Sequence, residues 1–194
     1  MQANILFIQF NKYNMNYTLL LLVALNITPE DGSLLFIENG NRIVQNHTDS
    51  TITHVAIIFK NDNDLWVYEA VPPKVRKIKL TEYYLEIEKI NKRKKRKLKV
   101  WISNPDKPLS TDQKDIAKKY LEKQIGRKYS IGGYLEEKPV QGIHCCELVG
   151  ETLLKMKIDF SDNTSTDDPW SVWQKTKPFY KIREEEIIRG SCRI

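Results

Sequence analysis

The chain has 194 residues, 41% of them apolar, which suits one domain with its own core and leaves little room for a second. Its net charge of +6 is local: eight of the eleven residues in 89–99, KINKRKKRKLK, are Lys or Arg, and removing those eight charges leaves the rest at −2. Three cysteines without Cys-x-x-Cys spacing (Cys145, Cys146, Cys192) argue against a cysteine-rich zinc site or a disulfide scaffold, although one bridge from the doublet to Cys192 stays open.

Residues 17–27, YTLLLLVALNI, follow Lys12 as an apolar run of signal-peptide length, too short for a membrane span. Residues 1–29 therefore read as a signal peptide or an N-terminal apolar segment, with Met15 as an alternative start and no clean small-x-small cleavage site. A signal peptide would send the chain to the cell envelope or outside; a buried first helix or strand would leave it cytoplasmic. After the turn PEDG, Ser33–Glu38 predicts a buried strand, and 39–50 is polar and irregular. The runs 53–60, THVAIIFK, and 65–71, LWVYEAV, flank NDND and predict a β-hairpin. VRKIKL alternates like an exposed strand, 82–90 predicts a short helix, and 98–103 another strand.

Ser110 with Gln113 forms a capping box for a helix over 110–125, with Ile116, Tyr120 and Ile125 near helical spacing, Leu121 alongside, and Gly126 at its end. A second helix opens at the cysteines, with Leu148, Val149, Thr152, Leu153 and Met156 on one face. Asp168 before Pro169 caps a last short helix in DDPWSVWQ. Antiparallel strands flanked by helices predict an α+β fold.

The chemistry centres on VQGIHCCELV at 140–149. Cys145 at a helix start meets free N–H groups and the helix dipole, which favour a thiolate and can hold an oxyanion. A thiolate needs an imidazole partner and a third group to orient it. His54 begins a strand, which aims it rigidly, whereas His47 lies in a polar stretch and His144, adjacent to Cys145, is expected to point elsewhere. Glu69 lies on the neighbouring strand, where paired strands bring side chains on one face within roughly 5 Å. An acid inside an apolar strand is costly unless it has a partner. The bland alternatives are a core cysteine, a hydrogen-bonded surface histidine and a solvated glutamate.

The ordered set DGSLLF, THVAIIF, VYEAV, GRKYS and HCCELV resembles the permuted papain-like enzymes of the NlpC superfamily, in particular the YaeF/YiiX-like group, over roughly 30–175. The resemblance implies a papain-like antiparallel sheet or barrel packed against helices, with 30–194 as the catalytic domain. By position it implies Cys145 as nucleophile, His54 as general base and Glu69 as the third polar member. Cys146 falls where the family has serine, Glu147 matches its following acid, and His144 replaces an aromatic residue. Ser130 stands where the family often has Asp, and Asp31-Gly32 inverts its Gly-Asp. The implied reaction is amide or ester hydrolysis, or acyl transfer, through a thioester, on cell-wall-type peptides, isopeptides or lipid acyl groups. No cofactor and no metal is implied.

Tyr129 and Tyr134 precede the cysteine loop and are candidates to line a substrate cleft, with core packing as the alternative. The run 89–99 reads as a solvated loop or as a surface for an anionic polymer or membrane; without interleaved aromatics, sequence-specific nucleic-acid recognition is not expected. Two other function classes remain: a non-catalytic binding module that uses this run, and a metal site built from His54, His144 and the cysteines.

Overall fold

Leu34, Leu35, Phe36 and Ile37 are consecutive apolar residues, so a strand made from them must be covered on both faces. The computed structural model, which describes residues 28–93, 95, 97–132, 141–158 and 163–182, puts them at the middle of an antiparallel sheet. Its linear order is β4 (Lys74–Lys79), β3 (Asp64–Val71), β2 (Ile52–Asn61), β1 (Ser33–Glu38), β5 (Lys99–Pro105) and β6 (Tyr180–Ile182). Leu34 and Phe36 enter one core with Ile57 and Phe59; Leu35 and Ile37 enter the other with Ala56 and Ile58.

Helices cover both faces. The first core is closed by α3 (Thr111–Gln124), α4 (Cys145–Lys155) and α5 (Pro169–Thr176), through Ala117, Leu121, Leu148, Leu153 and Trp173. Each such aliphatic burial is worth about 1.5–3 kcal/mol. Trp173 meets Phe36 edge-to-face with centroids 4.9 Å apart. The second core is closed by α2 (Leu80–Arg93) through Leu80, Tyr83, Tyr84 and Ile87. The expected α+β arrangement, an antiparallel sheet packed against helices, is therefore present.

Three local expectations change. The stretch 39–50 is not irregular: α1 (Arg42–Thr48) forms because the Asn41 side chain accepts from the Ile43 and Val44 N–H groups, and Asp49 closes it at φ 51. Only Val44 of this helix is buried, so no apolar period announces it. Helix α2 outruns its expected 82–90, and its last turn takes in Lys92 and Arg93. The basic run thus starts as a helix end, where cations face the negative end of the dipole. On α3 the buried residues are Ala117 and Leu121, while Ile116 and Ile125 are exposed. Two i,i+4 pairs compete for the inner face there, and small Ala117 lets the helix lie close. The Ser110 capping box on α3 and the Asp168 cap on α5 form as expected.

One connection sets up the site. After α3 the chain returns along the β4 edge, where Val75 N–H donates to Arg127 C=O at 2.9 Å and Tyr129 N–H to Pro73 C=O at 2.9 Å. Residue 143 is stitched to the same strip, Ile143 N–H donating to Lys128 C=O at 3.0 Å. This anchors the chain two residues before Cys145. The N-terminal run 1–27, Tyr134 and Cys192 lie outside the described residues, and among those described no helix is long and apolar enough to cross a membrane.

Candidate functional site

Alternation along β2 and β3 sends His54 and Glu69 to the α2 side of the sheet, with Ala56 and Val67, while Cys145 comes from α4 on the other side. Two features let them meet. The β2–β3 ladder ends at Ile57↔Tyr68, so His54 and Glu69 lie beyond it, where the two strands no longer pair. The register between β1 and β2 shifts at Thr53, Ile37 pairing with His54 and Glu38 with Ile52. Such a bulge re-aims the neighbouring side chain. Thr53 Oγ1 fixes it by accepting from the Gly40 N–H at 2.9 Å and donating to Ile37 C=O at 3.3 Å.

The result is a row of groups. His54 Nε2 lies 2.7 Å from Glu69 Oε2, and the Glu69 side chain is 1% exposed. Arg76 Nε donates to Glu69 Oε1 at 2.7 Å, Tyr83 Oη donates to Oε2 at 3.2 Å, and the Arg76 fork continues to Glu86 at 2.7 and 3.2 Å. Burial alone would lift the Glu69 pKa, but His54 and Arg76 outweigh it and hold the carboxyl below its usual range. Glu69 is thus an anchored anion. With Nε2 held by Glu69, Nδ1 is the His54 nitrogen left for Cys145. Burial opposes charge on His54, yet hydrogen bonding and attraction to Cys145 and Glu69 raise its pKa to about 10.

Cys145 and Cys146 are both free thiols and buried, with their sulfurs 3.7 Å apart. A hydrogen bond from Cys146 does most to hold Cys145 well below the usual thiol range; burial works against it, and His144 and His54 add to it. Burial pushes Cys146 well up, and the Cys145 sulfur, Asp168 and Asp167 act in the same direction. The doublet is therefore unequal: Cys145 is pushed toward the thiolate and Cys146 toward the thiol. One step along a helix is about 100°, which would aim the Cys146 side chain away from that of Cys145; the structure instead brings both sulfurs together at the first turn.

His144 differs from expectation as well. It is the N-cap of α4, with extended backbone at φ −105, ψ 174, and makes no side-chain capping bond. Its ring instead folds back beside the sulfurs: the His144, Cys145 and Cys146 donor atoms all lie within 4.8 Å of one another. Nε2 donates to Ser165 C=O at 2.8 Å. Burial opposes a charge on this ring too, but Cys145, the Ser165 carbonyl and Glu147 raise its pKa.

Tyr129 lines a cavity of about 450 Å³ together with His54, Glu69, Arg76, Ile37, Ile87 and Leu98. Its phenol is held up by burial and then by the charges of Cys145 and Cys146. Ser130, at the position noted as a departure, donates its backbone N–H to Ile143 C=O at 3.1 Å, and its Oγ accepts from the Gly132 N–H at 3.2 Å. Arg76 and Tyr83 were missed. Arg76 was within reach, because closing β3 on β4 about Pro72-Pro73 sets it opposite Glu69. Tyr83 comes from α2, and nothing local in its sequence points to Glu69.

Residues 28–169 match the family described as permuted papain-like amidase enzymes, YaeF/YiiX, C92 family. That span is most of the chain. The chain belongs to the permuted papain-like amidase family. The crystal structure of the metalloprotein yiiX from Escherichia coli O157:H7 is similar in fold, with a TM-score of 0.59, 15% identity, and 82% of this chain and 99% of that chain covered. No curated protein matches. The papain-like fold is thereby established, and family membership favours a hydrolase over a non-catalytic binding module.

Proposed function

We propose that this amidase-family chain is a cysteine amidase or peptidase in which Cys145, His54 and Glu69 act together. The observation that carries the reading is the unbroken row from the Cys145 sulfur through the His54 ring to a carboxylate anchored by Arg76 and Tyr83. The Cys145 thiolate attacks the carbonyl carbon, and the oxyanion is held by N–H groups of the first turn of α4. The His54 imidazolium passes its Nδ1 proton to the leaving nitrogen, the C–N bond breaks and a thioester remains. His54 then takes a proton from water, whose oxygen attacks the thioester and releases the acid and the thiolate. Glu69 keeps the ring's orientation and tautomer throughout.

Substrate binding is assigned to the cavity beside His54, with Tyr129 on its wall. Ile37, Ile87, Ile90 and Leu98 give it an apolar side, and Lys74 adds a cation to its wall, Arg76 being engaged by Glu69 and Glu86. This suits an acyl or peptide group with an apolar part near an anionic one. Ile90 and Leu98 lie within the basic run 89–99 and Ile87 just before it, so an anionic polymer or membrane surface would approach from that rim. The steps above use only groups of this chain and water. A neighbour in fold is called a metalloprotein; among the described residues the donor set that fits a cation is His144, Cys145 and Cys146. A cation bound there would hold the Cys145 sulfur as a ligand and so take no part in the steps above.

The test is alkylation by iodoacetamide at neutral pH with mapping of the modified residue, alongside amide hydrolysis on peptidoglycan-type peptides and acyl amides. Cys145 is expected to react first, and Cys145→Ala to abolish hydrolysis. Preferential labelling of Cys146 or Cys192 would overturn the assignment.

A further inference from the structure

We propose that His144, Cys145 and Cys146 form a binding site for one soft divalent cation such as Zn²⁺ or Cd²⁺, held through His144 Nδ1 and the two sulfurs. Three separate observations meet at this place. Two sulfurs each about 2.3 Å from one tetrahedral zinc stand about 3.8 Å apart, and the pair here is at 3.7 Å before any ion enters. His144 already makes the outer contact typical of a metal-bound imidazole, its Nε2–H donating to a backbone carbonyl at 2.8 Å. That bond fixes the tautomer and gives Nδ1 the lone pair on the side of the sulfurs.

The third observation is a buried carboxylate oxygen without a hydrogen-bond partner among the described residues, Oδ2 of Asp167, which is 4% exposed. Asp167 lies within electrostatic reach of Cys146, while Lys175 occupies its other oxygen. Its charge favours a cation beside the sulfurs without requiring it to be a ligand. Three protein donors leave a fourth tetrahedral position for water or a small ligand.

The consequence rests on the catalytic reading. A cation held by the Cys145 sulfur occupies the lone pair that attacks the carbonyl, so metal binding and acylation exclude each other. The site is then a reversible brake on the nucleophile, released by chelation.

Metal-stripped, reduced full-length protein is titrated with Cd²⁺ alone, and the ultraviolet thiolate-to-cadmium charge-transfer band and bound metal by equilibrium dialysis are read. One Cd²⁺ per chain is expected. Cys146→Ser and His144→Gln should each weaken it by at least the roughly ten- to hundredfold that loss of an outer-shell partner costs, while Cys192→Ser keeps it, with circular dichroism reporting the fold of every variant. Absence of a stoichiometric band, unchanged affinity in both Cys146→Ser and His144→Gln, or loss of the band in Cys192→Ser overturns the site. Hydrolysis by the metal-free wild type separates the two readings: binding without hydrolysis leaves this site standing and defeats the catalytic one, and hydrolysis without binding does the reverse.

Discussion

Replacing Glu69 by Gln keeps the size of the side chain and removes its charge. The carboxylate sits 2.7 Å from His54 Nε2, in a place where it is 1% exposed. An opposite charge at such range moves a pKa by about 1–3 pH units. The His54 midpoint, about 10 with Glu69 in place, should therefore fall to about 7–9 in Glu69→Gln. The readout is the His54 ring Cε1–H resonance followed through a pH titration, which is tractable because the chain has three histidines. The alkaline limb of hydrolysis should move down with it, since His54 must be protonated to release the leaving amine.

Stability should move too. The variant loses charge-assisted hydrogen bonds, worth about 1.5–3 kcal/mol, but Arg76 keeps Glu86, so no cation is left stranded. For a chain of this size that is about 3–12 °C in Tm. The pKa of Glu69 is lowered by folding, so its share of stability is present above pH 4.5 and is lost as pH falls through the folded value. The pKa of His54 is raised, so its share is full below pH 6.5 and is lost as pH climbs toward 10. The Tm gap between wild type and Glu69→Gln should be widest between pH 4.5 and 6.5. An unmoved His54 midpoint, or a gap that grows above pH 10, would refute the ion-pair reasoning.

Three further outcomes follow from single contacts. Cys146→Ala removes the donor to the Cys145 sulfur at 3.7 Å, so the thiolate should form at higher pH; the acid limb of iodoacetamide alkylation at Cys145, read by mass spectrometry, should shift upward. Tyr83→Phe deletes one hydrogen bond to Glu69 at 3.2 Å and should cost about 1 kcal/mol in denaturant unfolding while lowering hydrolysis only modestly. Gly142→Ala would place a Cβ 2.5 Å from Ser130 Cβ and 3.1 Å from Lys128 O; overpacking of this kind costs about 1–3 kcal/mol, visible as a lower Tm, and Ser130→Gly should recover part of it.

What could be read from the chain was what depends on near neighbours. The strands β1 to β3, the capping box at Ser110, the α4 stripe from Leu148 to Met156 and the Asp168–Pro169 start all rest on residues within a few positions of one another. Helix α1 was missed because a cap, not an apolar period, makes it. The inner face of α3 was misplaced because Ile116 and Ala117 offer the same spacing one residue apart. Cys145, His54 and Glu69 could be named in advance, but the way they meet could not. The α4 position belongs to one face of the sheet and the β2 and β3 positions to the other, so a strict alternation argument keeps them apart.

The meeting depends on two departures from regular pairing: a ladder that stops at Ile57↔Tyr68 and a shift at Thr53. Neither has a residue signature of its own, since Thr53 is an ordinary strand residue. Each is fixed from elsewhere in the chain: Thr53 by the Gly40 N–H, and the position of Cys145 by the Ile143 strip against Lys128. The same strip brings His144 over the sulfurs. A regular sheet would have buried His54 under α2 with Ala56 and left Cys145 a core thiol on the opposite side. The proposed chemistry therefore depends on the irregular ends of the sheet, and the contacts that hold those ends, rather than Cys145, His54 and Glu69 alone, are where substitutions should separate activity from folding.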